Sequence, residues 1–366
     1  MKTGPGLAVM VIRDHRVVHK HGYGLARLDA RKQVPIRPES TFRLASLTKQ
    51  FTAMAIAILV EAGKLKLDER LTDIIHDDHP AREIRVRHLL HHTSGLREYD
   101  TLLREYGAIG GDEFVQWDAH KPGFEPTNMD VQALLKRQTL RNYPPGRVFE
   151  YSNSAYAYLG CVIERKSGMC YADFLKKRIF TPLEMKDTYV GDGRNPPDPQ
   201  LAYSYNFGGV GTKTDIDYSP LNHIYGEDGV FSNLDDLSKW DEALYPSGRR
   251  AGGAKGLVSD ETLAMIFRPG RLDDDGSTGY GFGWFIIPGG VGAWHDGAWA
   301  GYRTCIRRYI ADSFTIVVLS NYAEVDVNAV ADQIYEIYFP EPRRVLPERL
   351  ARPKAGTAGG GRSRPN

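Results

Sequence analysis

The chain has 366 residues, a formal net charge of +1 and 42% hydrophobic residues, the composition of a soluble globular protein. Its length is enough to bury a sizeable core, in one large domain or two. The near-zero net charge gives no electrostatic reason to expect nucleic acid or an anionic membrane as a partner. The longest apolar run, around residues 53–60, is too short to span a bilayer.

The cysteines and the first residues bear on where the protein resides. Cys161, Cys170 and Cys305 make an odd count without metal-ligand spacing, so we expect buried thiols rather than a disulfide framework. A Gly-Pro-Gly sequence at residues 4–6 interrupts the N-terminus before any long apolar region, so no signal peptide is evident. The sequence as it stands therefore predicts a cytoplasmic protein, and a true start further upstream would instead predict a periplasmic or secreted one.

The N-terminal part predicts two strands and then a long helix. Leu7–Ile12 and Val17–Gly24 have the β-branched content of strands. Residues 25–43 are polar and punctuated by prolines, which indicates a loop with a short strand. Thr48–Ala62 contains good helix formers with an apolar face, and Gly63 is a natural stop.

Ser46 falls at the first turn of that helix, with Lys49 three residues later. Side chains at i and i+3 share a helix face, so we expect the hydroxyl and the amine to be neighbours. Ser46 alone among the serines has a lysine at this spacing. The positive helix end favours negative charge there, and an N–H group could help to hold an oxyanion. The pair also fits an N-cap serine followed by an exposed lysine, so a nucleophile is predicted only together with partner motifs downstream.

The middle of the chain predicts mostly helices. Five histidines lie within residues 76–92, but their spacing is not an ordered ligand spacing, so a structural helix is favoured over a metal site. Ser94 is predicted to be a turn residue, because its third neighbour is Arg97, which cannot accept a proton. A turn at residues 144–146 leads to Tyr151 and Asn153, predicted to lie in a loop before an apolar helix.

The C-terminal part returns to strands. The strands are predicted at Gly279–Ile287, Val291–His295, Tyr302–Ile310 and Thr315–Asn321. His295 and Gly297 would then stand where a strand ends, with glycine allowing a substrate to approach the backbone. Val327–Tyr338 predicts a closing helix, and the Pro-, Gly- and Arg-rich residues beyond Pro340 predict disorder.

This order of elements predicts an α/β (α+β) fold, an antiparallel sheet built from both chain ends and flanked by helices. We predict a sheet subdomain of residues 1–75 plus 255–340, a mostly helical inserted subdomain of residues 76–254, and a disordered basic tail of residues 341–366.

Three short motifs carry the chemistry. They are Ser46-x-x-Lys49, Tyr151-x-Asn153 and His295-x-Gly297. Acyl transfer needs an activated nucleophile, a proton acceptor that later becomes a donor, and an oxyanion hole. With these motifs the sequence resembles the serine β-lactamase-related superfamily, in its branch of class C β-lactamases, DD-peptidases and family VIII esterases; the sister class A enzymes have an analogous motif set.

The resemblance extends over residues 5–338. Further segments that look like landmarks of the family are His91–Leu96, Pro145-Gly146, Pro182–Met185 and Gly229–Ser232. It implies the β-lactamase/transpeptidase-like fold.

The resemblance also implies a role for each motif residue. Ser46 would form an acyl-enzyme. Lys49 would act as the base or hold Tyr151 as a phenolate, and Tyr151 would pass the proton to the leaving group. Asn153 would hydrogen bond Lys49 and the substrate amide.

The remaining roles concern the substrate. His295 and Gly297 would line its edge, and the N–H groups of Ser46 and Ala298 would form the oxyanion hole. Neither a metal nor a cofactor is implied.

Two departures from the family pattern bear on function. Position 295 is histidine where many β-lactamases have lysine, although some relatives also use histidine. Since an unperturbed histidine titrates near about pH 6.5, His295 would be mostly neutral above that pH and would offer a substrate carboxylate little ionic attraction. Arg303, in the same strand region, is a candidate for the missing charge, although a solvated strand residue is the favoured interpretation. Relatives also usually have a helix before the first strand, so we expect either an exposed sheet edge or a start further upstream.

We therefore expect a serine hydrolase acting on a small ester or amide, of carboxylesterase or D-amino-acid peptidase or amidase type. Its partner would be a small-molecule ester, amide or D-peptide, and the sequence gives no oligomeric state. The alternatives are a class C-like β-lactamase, a penicillin-binding sensor without turnover, and a scaffolding protein with a relic site. The complete set of Ser46, Lys49, Tyr151 and Asn153 argues against a relic.

Overall fold

A computed structural model describes residues 4–28, 33–75, 82–105, 125–138, 141–191, 198–207, 213–215, 219–251 and 256–340 of the chain. The predicted tail, residues 341–366, and the first two histidines of the 76–92 cluster, His76 and His79, lie outside these residues.

An antiparallel sheet joins the two ends of the chain. The strands are β1 (Leu7–Arg13), β2 (Arg16–Tyr23), β3 (Leu25–Leu28), β4 (Gln33–Pro35), β5 (Phe42–Arg43), β6 (Tyr189–Val190), β7 (Tyr205–Phe207), β8 (Lys213–Asp215), β9 (Val230–Ser232), β10 (Phe285–Ile287), β11 (Gly292–Trp299), β12 (Tyr302–Tyr309) and β13 (Phe314–Ser320). The large sheet has the order β10-β11-β12-β13-β1-β2. Strand β1, from the N-terminal part, pairs with β13, from the C-terminal part, so both parts of the chain build one sheet, which confirms the predicted fold class.

Strands β1 and β13 form the middle of this sheet. Every residue of Leu7–Ile12 and of Phe314–Ser320 is buried. Continuous apolar runs of this kind are typical of strands covered on both faces. The edge strand β2 is instead largely exposed, with Val17 and Val18 at 43% and 49%.

Helices cover the sheet and build the inserted region. They are α1 (Thr48–Glu61), α2 (Leu71–Ile75), α3 (Val86–Leu90), α4 (Tyr99–Glu105), α5 (Asn128–Lys136), α6 (Asn153–Ser167), α7 (Tyr171–Leu175), α8 (Leu234–Ala243), α9 (Asp260–Ile266) and α10 (Val327–Tyr338). Helix α10 packs on β12 and β13, and α8 packs on β1. Within the described ranges, no helix combines the length and the apolar character needed to cross a membrane.

Helix α1 is buried all round rather than on one apolar face. Each residue from Thr48 to Leu59 is buried, because α1 contacts α6, α7 and α9 as well as the turn before it. The buried part includes three polar residues of the first turn, Thr48, Lys49 and Gln50, and Lys49 belongs to the predicted site.

The strand predicted over Gly279–Ile287 forms only from Phe285. Gly279 and Gly283 have φ angles of +66° and +77°, which strands do not use. At Gly283 a Cβ atom would lie 2.7 Å from the carbonyl oxygen of Lys49, so this glycine lets the chain pass close to α1.

Short strands outside the large sheet help to position the site, and two of them, β6 and β9, lie inside the region predicted to be mostly helical. Strands β5, β9 and β6 form a small antiparallel sheet in that order, with Arg43 opposite Phe231. The loop before β9, residues 226–229, therefore lies beside the turn that follows β5.

The cysteines are free thiols, and two of them are buried as predicted. Cys161 and Cys305 are buried, whereas Cys170 is exposed. Cys170 is the N-cap residue of the short helix α7, a position at the surface, so the prediction of buried thiols was wrong for it.

Candidate active site

The turn that carries Ser46 lies between β5 and α1 and is fixed by its neighbours. It is a 3₁₀ turn over Ala45–Leu47, and Ala45 has a φ of +51°, which residues with a side chain rarely adopt. The Leu44 N–H group donates to Val230 O (2.8 Å), and Leu44 O accepts from Thr304 Oγ1 (2.8 Å). Ser46 itself is half-buried, so part of it faces solvent.

The Lys49 amine connects the predicted catalytic residues. Its Nζ atom lies 3.0 Å from Ser46 Oγ, 2.8 Å from Asn153 Oδ1 and 3.0 Å from the carbonyl oxygen of Glu227. The side chain is fully buried. Burial lowers the pKa of Lys49, but negative charge at Tyr151 and Glu227 outweighs it and raises the pKa above its ordinary value.

Tyr151 is half-buried and lies against the same amine. Lys49 Nζ is 4.9 Å from the centre of the Tyr151 ring, and negative charge on Tyr151 is the largest cause that raises the pKa of Lys49. The Tyr151 ring stacks on His92 at 4.4 Å between centroids. The structure thus brings Ser46, Lys49, Tyr151 and Asn153 together.

Asn153 is the first residue of α6 and not a loop residue, which corrects the sequence prediction. Ser152 is the N-cap, and its Oγ accepts from the Ala155 N–H group (3.1 Å). The Asn153 N–H group donates to Glu98 Oε2 (2.9 Å), and the Ser152 N–H group donates to His92 Nδ1 (3.0 Å). These bonds fix the helix end that presents Asn153 to Lys49.

His295 lies inside β11, which continues to Trp299, so the prediction that a strand ends at Trp294–Gly297 was wrong. His295 Nδ1 is 2.6 Å from the carbonyl oxygen of Asp296, and Nε2 is 3.0 Å from the Tyr280 hydroxyl. Because a carbonyl only accepts, Nδ1 carries a hydrogen, and in the neutral ring Nε2 accepts from Tyr280.

Gly297 and Ala298 continue β11 past the turn that carries Ser46. A Cβ atom on Gly297 would lie 2.6 Å from Leu44 O, so glycine permits this close approach without breaking the strand. The Ala298 side chain is exposed. Strand β10 pairs with β11 through Gly292–Trp294, upstream of these residues. The oxyanion hole of the Ser46 and Ala298 N–H groups stays a prediction.

Aromatic and imidazole rings line one side of the site. We call the following five residues the aromatic wall: His92, Tyr151, Tyr280, Phe285 and His295. The Phe285 ring lies 4.8 Å from Tyr280 and 5.3 Å from His295 between centroids. Burial raises the pKa of Tyr280 well above, and lowers the pKa of His92 well below, their ordinary values. Both are therefore neutral near pH 7.

The sequence prediction missed His92, Tyr280 and Phe285 as parts of the site. The available signal was the density of aromatic residues and glycines at 279–285, which was interpreted as a strand. Residues 91–96 were noted only as a family landmark.

Two adjacent buried acids, Glu227 and Asp228, were also missed. Glu227 Oε2 lies 3.5 Å from Lys49 Nζ, and Glu227 Oε1 accepts from the Tyr99 hydroxyl (2.8 Å). Asp228 Oδ2 accepts from Arg43 Nε (2.9 Å). The signal that could have found them is a pair of carboxylates placed between two glycines just before an apolar strand, since acids are rarely buried without partners.

Arg303 does not supply a charge at this site. It pairs with Ala298 across β12 and β11, and side chains alternate along a strand, so it lies on the opposite sheet face from His295 and Gly297. Its guanidinium donates to the carbonyl oxygens of Ala300 and Tyr302.

Histidines of the 76–92 cluster have other surroundings. Burial lowers the pKa of His88 and of His91 to about 4. In the part of the chain that the structure describes, no group of three or more His, Cys, Asp or Glu residues could hold a metal ion. Ser94 lies in a bend, and its Oγ accepts from the Leu96 N–H group.

The fold and the site define a serine hydrolase. A model of the Beta-lactamase family matches residues 1–338, so the chain belongs to the Beta-lactamase family, which confirms the resemblance drawn from the motifs.

The chain is similar to proteins of two kinds. It is 33% identical over 361 residues to penicillin-binding protein 4* of Bacillus subtilis, covering 94% of this chain and 74% of that protein. It is 30% identical over 329 residues to D-aminopeptidase of Brucella canis, covering 87% of this chain but only 57% of that protein. An octameric penicillin-binding protein homologue from Pyrococcus abyssi superposes with a TM-score of 0.77 at 26% identity, over 93% of this chain and 74% of that one.

Proposed function

We propose that the chain hydrolyses small esters or amides without a carboxylate through an acyl-enzyme on Ser46. The observation that carries the proposal is the 3.0 Å contact between Lys49 Nζ and Ser46 Oγ, with Asn153 2.8 Å from the same amine. In this proposal Ser46 is the nucleophile and Lys49 with Tyr151 is the proton-transfer pair that covalent acyl transfer needs.

In the proposed reaction Ser46 Oγ attacks the carbonyl carbon and its proton passes to the Lys49–Tyr151 pair. The carbonyl oxygen becomes an oxyanion held by the N–H groups of Ser46 and Ala298. The bond to the leaving group then breaks, and Tyr151 returns the proton to the departing oxygen or nitrogen. Water attacks the acyl-enzyme in the same way, giving a carboxylic acid and free Ser46.

The substrate class is inferred from the neutral side of the site. Of the aromatic wall, His92 and Tyr280 are neutral, and Arg303 lies on the other sheet face. A substrate carboxylate would therefore lack a charged partner there, and charge-assisted hydrogen bonds are roughly twice as strong as neutral ones. Similarity to D-aminopeptidase supports an amide of a D-amino acid as one candidate, and nitrophenyl esters of short acids provide a convenient probe.

A second candidate is acylation by β-lactams, with or without turnover, which the similarity to penicillin-binding protein 4* favours. The test compares kcat/KM for nitrophenyl butyrate, a D-amino-acid nitroanilide and a chromogenic cephalosporin at about pH 7.5. We expect the ester or the anilide to be preferred. A cephalosporin preference of about tenfold or more, roughly 1.4 kcal/mol in the transition state, would make this a β-lactamase.

A further inference from the structure

Glu227 is a buried acid in direct reach of the Lys49 amine. It is 2% exposed, and its Oε2 atom lies 3.5 Å from Lys49 Nζ. The Tyr99 hydroxyl donates to Oε1 at 2.8 Å, and the Glu227 backbone carbonyl accepts from Lys49 at 3.0 Å. Side chain and main chain of one residue thus both contact the amine next to Ser46.

The hydrogen bonds of Lys49 alone do not decide its charge. An ammonium would donate to Ser46 Oγ, Asn153 Oδ1 and Glu227 O. A neutral amine would donate to the last two and accept from the Ser46 hydroxyl. The carboxylate of Glu227 distinguishes the two forms, because a buried ammonium without a counter-ion is very costly and a buried carboxylate nearby offsets that cost.

We propose that Glu227 is a positioning residue of this site: its carboxylate is the buried counter-ion that holds Lys49 as an ammonium against Ser46. This inference rests on the proposed function of Ser46, and it adds a residue that the three sequence motifs do not contain. It assigns the proton-accepting step to Tyr151 as a phenolate held beside the ammonium, since an ammonium has no lone pair to accept a proton.

The other charged and titratable groups around Glu227 leave it as the partner of Lys49. They are Lys49 of α1, Tyr99 of α4, Tyr171 of α7, Arg43 of β5 and Asp228 in the same loop. Two further groups face Lys49: Tyr151, whose ring centre is 4.9 Å from Nζ, and the buried acid Glu98, whose Oε2 accepts from the Asn153 N–H group at 2.9 Å and which forms no ion pair with the amine within the described residues. Arg43 and Asp228 are paired with each other at 2.9 Å. Burial, opposed by the charge of Lys49, raises the pKa of Glu227 to about 7, so its carboxylate forms in the range where the site would work.

The test uses Glu227→Gln, which keeps the size and removes the charge. The Lys49 titration is followed by NMR on the full chain with isotope-labelled lysine, assigned with Lys49→Met, and kcat/KM for nitrophenyl butyrate is measured against pH. An opposite charge at this distance shifts a pKa by about one to three pH units. We expect the Lys49 titration and the alkaline limb of the rate profile both to move to lower pH by about that amount.

Glu164→Gln is the matched control, because Glu164 is a half-buried glutamate that bonds Tyr171 N and Tyr225 Oη. It should leave both curves unchanged. An unchanged Lys49 titration in Glu227→Gln would overturn the inference. Faster turnover of this variant near neutral pH would also overturn it, because it would mean that neutral Lys49 is the base and that the Glu227 carboxylate slows the reaction. The NMR readout does not need turnover, so an inactive wild-type protein would contradict only the proposed function.

Tyr99→Phe provides a second route if Glu227→Gln does not fold. It removes the hydroxyl whose hydrogen bond lowers the pKa of Glu227. Glu227 then stays protonated to higher pH, so the acid limb of kcat/KM should move to higher pH. An acid limb that stays in place would contradict the inference.

Discussion

The two sides of the site handle burial in opposite ways. On one side, which we call the charged wall, Arg43 faces Asp228 and Lys49 faces Glu227, so each ion has a counter-ion. On the other side, the aromatic wall, burial keeps His92 and Tyr280 neutral. Ser46 lies between them. Under the proposed function, the charged groups would orient and activate Ser46, while the aromatic wall would contact the substrate.

The free-energy cost of burying a charge explains why the two walls should differ in how well they tolerate substitutions. A buried charge is stabilised only with its partner, so removing one member leaves the other unpaired. A buried neutral ring contributes apolar contact and a modest hydrogen bond of about 0.5–1.5 kcal/mol. Substitutions in the charged wall should therefore affect both stability and activity, and substitutions in the aromatic wall mainly activity.

Lys49→Met should have the largest effect. It removes the ammonium that contacts Ser46 Oγ and that would hold Tyr151 as the proton-accepting phenolate, so kcat/KM for nitrophenyl butyrate should fall by about 10,000-fold or more, beyond the upper range for one acid–base group. It also leaves Glu227 without a counter-ion, which should cost about 3–5 kcal/mol of the free energy of unfolding.

That loss of stability should depend on pH. Without the charge of Lys49, which lowers the pKa of Glu227, this carboxyl stays protonated to higher pH than in the wild type. Above about pH 7 the folded variant then binds more protons than the folded wild type. The difference in melting temperature between wild type and Lys49→Met should therefore be larger at about pH 8.5 than at about pH 6. Lys166→Met, which breaks the partly exposed pair with Glu69, is the control and should cost about 0–1 kcal/mol at both values. Equal gaps for Lys49→Met at the two pH values would contradict the pairing.

Tyr151→Phe belongs to the aromatic wall and should lower kcat by about 100- to 10,000-fold, because it removes the proposed proton-carrying oxygen. The ring and its stacking on His92 remain, so the melting temperature should barely change. Tyr158→Phe, in the buried part of α6, is the control for loss of a phenol elsewhere. A loss below about tenfold would show that Lys49 works without Tyr151.

Tyr280→Phe should have a smaller effect. It removes the hydroxyl 3.0 Å from His295 Nε2. One hydrogen bond of about 0.5–1.5 kcal/mol corresponds to a loss of about tenfold or less in kcat/KM. A loss of about 1,000-fold would place Tyr280 among the proton-transfer groups. The proposed difference in role between the charged wall and the aromatic wall would then be wrong.

Truncation after Pro340 should have the smallest effect of these changes. The sequence of residues 341–366 contains little apolar surface to offset the entropy of ordering. We expect melting temperature and kcat/KM to stay unchanged. A large drop in either would mean that the tail docks on one of the walls.

The sequence allowed the local part of the site to be predicted. Ser46 and Lys49 are one helical turn apart, and that distance follows from helix geometry alone. The sheet from both chain ends was also predictable, because β1 and β13 are continuous apolar runs.

The rest depends on contacts between residues far apart in the chain. Glu227 reaches Lys49 only because β9 pairs with β5. The extent of β11 depends on how Gly297 packs against Leu44, more than 250 residues earlier in the chain. The periodicity of the sequence does not predict either contact. Nor does it predict the burial that keeps His92 and Tyr280 neutral.

The central claim is that Ser46 is the residue that becomes acylated. The most direct measurement is the intact mass of the protein after reaction with a fluorophosphonate, followed by peptide mapping, for the wild type and Ser46→Ala. We predict one adduct, on Ser46, and none in a Ser46→Ala variant that melts at the wild-type temperature. An adduct that persists in Ser46→Ala on another serine, such as Ser94, would contradict the claim.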